Sequence, residues 1–592
     1  MPSSLPHCMA PSRFRLAGSR LALLFVFGIA ALLVACGGDD EDAQVQSDSA
    51  TSAPAQAEDE QSQAEQQAEE AELPVNDGDE PAQDQAQEED GQQSADAGVV
   101  GELTDSDDGD FVLGFAEPSE AYRPLAEALI ESGVFETVIT ALNNQLLLPR
   151  NIDVVFQECG TINAFYDPES VSIAVCYELV EWLVQNFSQI EEDPQVAFGR
   201  GLDSTVFILN HEVGHALINV LQLPTTGREE DAVDELASIL VMESFPGGET
   251  TVLNAAQSFF LSGAQVTDLS ELDFADEHSL DQQRFFGISC LVFGRNPDGN
   301  PQLLELGILS EDRASLCVQE YQDKLDAWSV LLLFEGDEEE ALNDIPDEDY
   351  LLVDEGDFVL GFIEPESDAL RPLAERLLAT EDFTVVTQAL NDTVGLPADL
   401  PITFAECGLI NAFYDPELRA ITMCYELFDF IQTQFANAGL DDDDAFARAL
   451  DANIFIFFHE VGHALIHVLE LPTTGKEEDA VDDLATIVLI ESFDGGDQAV
   501  LNAAQSFFLS GSEITDLSEL DFADEHSLDQ QRFFSISCLV YGSNPGGHAD
   551  LVEAGTLSDD RAALCEEEYP QKLDAWLVLL DFALKAEEES AG

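Results

Sequence analysis

The pentapeptide HEVGH occurs twice in the chain, at residues 211–215 and 459–463, each time inside an apolar segment. Residues four apart lie on one face of a helix, so histidines with this spacing can each direct a ring nitrogen to one ion about 2.0–2.1 Å away. A structural role for buried core histidines is the alternative. The metal ligands predicted from the spacing are His211, His215, His459 and His463.

A glutamate stands next to the first histidine of each motif. Glu212, and Glu460 in the second motif, would project beside the ion, where a carboxylate can take a proton from water without being a ligand. The motifs therefore predict a hydrolytic metal site with these glutamates as general bases. Gly214 has no side chain, which would let another segment approach the helix closely.

A catalytic zinc ion takes three protein ligands and leaves one position for water. We expect the third ligand in the acidic segment 228–240, REEDAVDELASIL, which follows the turn sequence LPTTG. Glu230 and Asp234 are four apart, so Glu230 could bind the ion while Asp234 orients a ligand histidine through its free ring N–H. The other acidic residues, which also suit a solvated helix start, remain alternatives: Glu229, Asp231 and Glu235. The equivalent pair in the second half of the chain is Glu478 and Asp482.

One further histidine recurs, in the segment DEHSLDQQRFF, as His278 and His526. A histidine or arginine near the ion could stabilise the oxyanion of a tetrahedral intermediate, which makes His278 and Arg284 candidates, with His526 and Arg532 in the second half. A helix-capping or salt-bridging role is the alternative. Two tyrosines could reach the site or simply pack in the core, namely Tyr166 and Tyr177.

These motifs belong to a unit that the chain contains twice. The segment DFVLGF starts at Asp110 and Asp357, and LNAAQSFFLSG starts at Leu253 and Leu501. The period is too long for a solenoid repeat and indicates a duplicated globular domain. In each copy, INAFYDPE and the residues after it predict two β-prone runs around an Asp-Pro turn, and long helical patterns follow. The predicted class is α+β, rich in helices, with a small β-sheet or hairpin.

Cysteines indicate an exported protein. The four cysteines of each copy permit three pairings, and we favour Cys159 with Cys176 because they flank the Asp-Pro turn almost symmetrically. Cys290 with Cys317 then follows by elimination. The matching cysteines of the second copy are Cys407, Cys424, Cys538 and Cys565.

The N-terminus resembles a bacterial lipoprotein signal, because arginines precede an apolar run that ends in LVAC at Cys36. Lipidation of Cys36 would anchor the protein to the membrane at the cell envelope, outside the cytoplasmic membrane; an uncleaved anchor helix is the alternative. The predicted divisions are a signal peptide (1–35), a disordered acidic tether (36–108), a first domain (109–335), an acidic linker (336–356) and a second domain (357–592).

The charge of the chain excludes some partners. With 20 basic and 120 acidic residues and a formal net charge of -100, it would repel nucleic acid and anionic lipid. A cation is the more natural ligand.

The segments HEVGHALI, LPTTGREEDAVDELA, INAFYDPE and DEHSLDQQRFF resemble an uncharacterised bacterial metallopeptidase family, a domain of unknown function in the zincin-like group. The likeness covers residues 110–334 and 357–584. It implies two tandem zincin-like domains, one Zn²⁺ in each, and peptide hydrolysis. The pair Glu230 and Asp234 also resembles the third-ligand helix of the gluzincin peptidases.

Together these observations predict an exported, membrane-anchored zinc metallopeptidase that acts on a peptide or protein substrate. One alternative is a non-catalytic surface lipoprotein that binds zinc or a partner through a protease-like scaffold. Another is an adhesion protein in which HEVGH has a purely structural role.

Overall fold

The structure is a computed structural model, and it describes residues 109–332 and 354–584. The predicted signal peptide, lipidated Cys36, tether and most of the linker lie outside the described residues. The described residues of both copies belong to one compact unit.

Each copy contains a small mixed β-sheet. In the first copy the strands are β1 (Phe111–Phe115), β2 (Ile152–Gln157), β3 (Ala164–Asp167) and β4 (Ser172–Cys176). Their order is β1-β2-β4-β3, with β1, β2 and β4 parallel and β3 antiparallel at one edge. The predicted pair of strands around the Asp-Pro turn is confirmed as β3 and β4. Strands β1 and β2 were not predicted from the sequence.

Helices form most of the rest of the first copy, as the sequence predicts. In chain order they are α1 (Arg123–Ser132), α2 (Val134–Gln145), α3 (Tyr177–Ser188), α4 (Pro194–Leu221), α5 (Glu229–Ser244), α6 (Gly248–Gly263), α7 (Asp281–Arg295), α8 (Gln302–Glu305) and α9 (Glu311–Leu332). A short 3-10 helix spans Leu269–Glu271.

The second copy repeats this arrangement. Its strands are β5 (Phe358–Phe362), β6 (Leu400–Ala405), β7 (Ala412–Asp415) and β8 (Ala420–Cys424), in the order β5-β6-β8-β7. Its helices are α10 (Arg371–Leu378), α11 (Asp382–Thr393), α12 (Tyr425–Asn437), α13 (Asp442–Leu469), α14 (Glu477–Ser492), α15 (Gly496–Gly511), α16 (Asp529–Ser543), α17 (Asp550–Glu553) and α18 (Asp559–Leu580). Two further 3-10 helices span Leu517–Glu519 and Asp581–Ala583. The prediction of a helix-rich α+β fold in two tandem domains is therefore confirmed.

The helix that carries HEVGH, α4 in the first copy and α13 in the second, lies at the centre of its domain. Asp193 caps the start of α4 by accepting a hydrogen bond from the backbone N–H of Gln195, and Pro194 suits the first helical position. The helix contacts strands β3 and β4 and also helices α3, α5 and α6. By length and composition α13 could cross a membrane, but 78% of its most apolar window is buried inside the fold, as expected for a core helix.

The predicted disulfide pairings are confirmed, with bonds Cys159–Cys176, Cys290–Cys317, Cys407–Cys424 and Cys538–Cys565. Cys159 lies just after strand β2 and not on β3, and Cys176 is the last residue of the neighbouring parallel strand β4. The bond therefore ties the end of β2 to the start of α3 instead of bridging the β3–β4 hairpin.

Close packing of α4 on α5 depends on Gly214, as its lack of a side chain suggests. A Cβ atom at this position would lie 2.8 Å from Cβ and Cγ1 of Val233 on α5.

We expect Gly214→Ala to lower the free energy of unfolding by about 1–3 kcal/mol, because the two helices must separate. Denaturant titration measures this loss. Gly199→Ala is the matched control: the site is exposed on the same helix with open space around it, so the variant should gain up to about 1 kcal/mol. Equal stability of the two variants would contradict the packing argument.

Candidate metal centre

The two histidines of the first motif turn their rings toward one another on the buried face of α4. Nδ1 of His211 lies 2.8 Å from Oδ1 of Asp234, and Nδ1 of His215 lies 2.8 Å from Oε1 of Glu229. Because a carboxylate only accepts hydrogen bonds, each Nδ1 carries a hydrogen, and in the neutral imidazole the lone pair is then on Nε2. Both lone pairs are thus available to a metal ion.

The carboxylate of Glu230 lies where these nitrogens converge. Its Oε2 is 3.1 Å from Nε2 of His211, and its Oε1 is 3.3 Å from Nε2 of His215. In the second copy, Glu478 lies 3.2 and 3.4 Å from the corresponding nitrogens of His459 and His463. Both copies therefore bring two histidines and one glutamate together, as the sequence predicts.

A third histidine enters this cluster from the loop before α7. Nε2 of His278 lies 3.2 Å from Oε2 of Glu230, while Nδ1 lies 2.9 Å from Oδ1 of Asp276. His526 repeats both contacts with Glu478 and Asp524. The imidazole has the same carboxylate-oriented geometry as the two histidines of the motif, although its side chain is 45% exposed. Sequence reasoning missed the role of Asp276, for which the recurring spacing Asp-x-His was the available signal.

The donor atoms have the spacing of ligands around one ion. Atoms bound at 2.0–2.1 Å to a tetrahedral ion are about 3.3 Å apart. In the second copy, Nε2 of His459 and Nε2 of His463 are 3.2 Å apart, which is close to this spacing. Oε2 of Glu230 is buried and has no hydrogen-bond partner among the described residues. The residues present therefore fit a divalent metal ion.

The acidic residues around Glu230 have other partners. Glu229 holds His215, and Asp231 accepts a hydrogen bond from the hydroxyl of Ser279 at 3.0 Å. Glu235 is 9% exposed and accepts one from the backbone N–H of Gly475 at 2.9 Å. The start of α5 is therefore a packed, hydrogen-bonded element rather than a solvated one, and Glu230 is the acidic residue of this segment that faces the motif histidines through both carboxylate oxygens.

Arg284 contacts Asp234 rather than the centre of the cluster. Its Nε and Nη2 each donate to the carboxylate of Asp234 at 2.7 Å, and its guanidinium carbon lies 3.9 Å from the ring centroid of Phe259. Burial by itself would raise the pKa of Asp234, but Arg284 and His211 lower it to about 2. The arginine thus keeps ionised the carboxylate that orients His211. Arg532 makes the same bonds to Asp482.

The glutamates of the two motifs are buried, and Glu460 lies beside the edge strand β7 of its copy. Glu212 is 6% and Glu460 is 5% exposed. Burial raises the pKa of Glu460, whereas the charges of His459 and His463 and the backbone N–H of Tyr414 on β7 act in the opposite direction. The carboxyl group of Glu460 therefore lies near the motif histidines and the edge strand β7.

The two tyrosine candidates have different surroundings. The hydroxyl of Tyr177 donates to the carbonyl oxygen of Ala116 in the core, so this residue packs and does not reach the site. Tyr166, on the edge strand β3, donates to Oδ1 of Asn219, one helical turn after His215, at 2.9 Å. Its equivalent in the second copy, Tyr414, lies 2.8 Å from Nδ1 of His467.

Comparison with known proteins gives one result. A family model described as "Putative metallopeptidase" matches residues 116–332 and again residues 362–580, which confirms that the family is present as two tandem copies. No curated protein and no solved structure matches the chain.

Proposed function

The chain belongs to the family described as "Putative metallopeptidase", and from that premise we propose that it is an exported, membrane-anchored zinc metallopeptidase with one active site in each copy. The observation that carries the proposal is the convergence of the His211 and His215 ring nitrogens on the buried carboxylate of Glu230.

Zinc suits this donor set. It accepts imidazole nitrogen and carboxylate oxygen in tetrahedral geometry, and a catalytic site leaves at least one position open. His211, His215 and Glu230 would hold the ion in the first copy, and His459, His463 and Glu478 in the second. Each ligand histidine is oriented by its own carboxylate, which raises ligand basicity and fixes the ring.

The bound ion would supply Lewis acidity, polarising the substrate carbonyl and lowering the pKa of a water molecule toward about 7. Glu212 then takes the proton of the attacking water and delivers it to the leaving amine. Its burial keeps this proton transfer away from bulk solvent. His278, next to Glu230, is positioned either to complete the metal coordination or to stabilise the developing oxyanion.

The edge strand offers a place for an extended peptide. β3 pairs with β4 on one side only, and its other edge has no strand partner among the described residues. An extended substrate can add to such an edge through main-chain hydrogen bonds, which would align its backbone beside Glu212. Phe165 on this strand is 40% exposed and would contact an apolar substrate side chain.

The proposed location follows from the N-terminal segment and the disulfides. Disulfide bonds persist in oxidising compartments outside the cytoplasm, and each copy has two. Lipidation at Cys36 would attach the protein to the membrane at the cell envelope.

Metal analysis combined with digestion of a broad peptide library tests the proposed function. We expect about two zinc ions per chain, cleavage of peptides, loss of cleavage on chelation, and recovery when zinc is restored. Zinc without cleavage would indicate the non-catalytic binding protein. A chain that binds no metal would contradict both functions.

A further inference from the structure

The two copies face each other across an approximate twofold axis between their LPTTG turns, residues 223–227 and 471–475. The backbone N–H of Thr226 donates to the hydroxyl of Thr474 at 3.1 Å, and that of Thr474 donates to the hydroxyl of Thr226 at 2.9 Å. Both residues are buried, and they are 248 positions apart, which is the period of the duplication. Equivalent residues in mutual contact are the mark of an isologous interface, here formed within one chain.

A buried lysine of each copy binds the turn of the other. Nζ of Lys572 donates to the carbonyl oxygens of Gly227 and Thr225, the latter at 3.3 Å. Lys324 makes the equivalent contacts with the turn of the second copy. Gly227 has a φ of 58°, and a Cβ atom there would lie 3.0 Å from the carbonyl oxygen of Lys476. The turns are therefore shaped for close contact between the copies.

The turn leads directly into the helix that carries the glutamate of the metal centre. Helix α5 begins at Glu229, two residues after Gly227, so Glu230 lies at the end of the turn that Lys572 holds. Further along α5, Glu235 accepts a hydrogen bond from the backbone N–H of Gly475 at 2.9 Å. The second copy thus fixes the start of α5.

An arginine of each copy holds the loop that carries the third histidine of the other. Nε of Arg561 on α18 donates to the carbonyl oxygen of Ala275 at 3.0 Å, and Glu568 binds the same guanidinium. Ala275 immediately precedes Asp276, the residue that orients His278. In the opposite direction, Nε of Arg313 donates to the carbonyl oxygen of Ala523 at 2.9 Å, next to Asp524 and close to His526.

We propose that the two metal centres support each other across this interface: Arg561 and Lys572 of the second copy are positioning residues for the first centre, and Arg313 and Lys324 do the same for the second. Pairing of the copies is then a condition for each centre. The inference rests on the proposed metal-binding function.

Crossed variants of the full chain test this coupling. Glu478→Gln leaves only the first centre and Glu230→Gln only the second, and Co²⁺ is titrated into each single-centre protein while its visible absorption is recorded. In the Glu478→Gln protein we expect Arg561→Met to weaken Co²⁺ binding about tenfold and change the spectrum, whereas Arg313→Met does neither. In the Glu230→Gln protein we expect the reverse: Arg313→Met should weaken Co²⁺ binding and change the spectrum, whereas Arg561→Met should do neither.

Arg376→Met is the matched control, since this arginine of the second copy pairs with Asp442 and Asp443 away from the interface. It should weaken Co²⁺ binding in neither protein. Lys572→Met provides a second test of the first centre through the turn, should Arg561→Met not fold. Unchanged Co²⁺ binding in the arginine variants would overturn the coupling but not the metal-binding function. Equal weakening by an arginine variant in both single-centre proteins would do the same. Single-centre proteins that bind no Co²⁺ would contradict the metal-binding function and the coupling with it.

Discussion

Replacing Glu212 and Glu460 together with glutamine is expected to abolish peptide hydrolysis while the protein keeps its metal. Neither glutamate is among the residues whose donor atoms converge in the cluster, and each is buried directly after the first histidine of its motif. Glutamine keeps the size of the side chain but cannot accept the proton of the attacking water. Loss of a general base costs about 10²–10⁴-fold in rate, so kcat should fall at least this far. Peptide cleavage assayed beside the zinc content of the same sample measures the effect.

The single variants are the natural controls for this experiment. Glu212→Gln alone should leave the activity of the second copy, and Glu460→Gln alone that of the first. Hydrolysis that survives in the double variant at the rate of the unmodified protein would refute the assignment of the base. A double variant without zinc would mean that these glutamates take part in metal binding.

The second large effect is expected at Glu230 and Glu478. Changing both to glutamine removes the anionic donor from each cluster and leaves only the motif histidines facing one another. Loss of an outer partner of a ligand typically costs 10–100-fold in metal affinity, and we expect loss of a direct ligand to cost more than about 100-fold. Zinc should fall from about two ions per chain to none in the double variant and to about one in either single variant.

Glu243→Gln is the matched control for this loss, because it makes the same chemical change near the other end of α5. Glu243 binds Arg295 at 2.7 Å and accepts a hydrogen bond from Tyr321, and within the described part of the chain it makes no contact with the motif histidines. It should keep both zinc ions. If Glu230→Gln kept full zinc affinity, the third ligand would have to be sought elsewhere, with His278 as the first candidate.

Several features of the centre could be predicted because they depend on spacing along a helix. The four-residue interval from His211 to His215 sets both rings on one face wherever the helix lies. The same interval separates Glu230 from Asp234 on α5. The carboxylate of Glu230 faces the Nε2 atoms of both histidines, and the carboxylate of Asp234 orients the ring of His211. The disulfide pairing could also be inferred, since only a few pairings were open in each copy.

Other features could not be predicted because they depend on contacts between distant segments. The sequence could not decide whether Glu230 or Glu229 is the third candidate ligand. Both lie at the start of α5, and they differ only in the histidine nitrogen that each contacts. Arg284 was a candidate for stabilising the oxyanion of the intermediate, but its guanidinium packs on Phe259 and binds Asp234. Strands β1 and β2 escaped prediction since parallel pairing leaves no turn signal between them.

The sequence by itself determined the duplication and the helix that bears the paired histidines, and it favoured the acidic partner helix and the cysteine pairs, because each depends on local spacing or on repetition. Only the tertiary structure decided what the LPTTG turn does. A turn signal specifies backbone conformation, but the burial of Thr226 against Thr474 and of Lys572 against Gly227 depends on residues up to 345 positions apart. Such contacts leave no periodic trace in the chain, since they join segments that are far apart in the sequence.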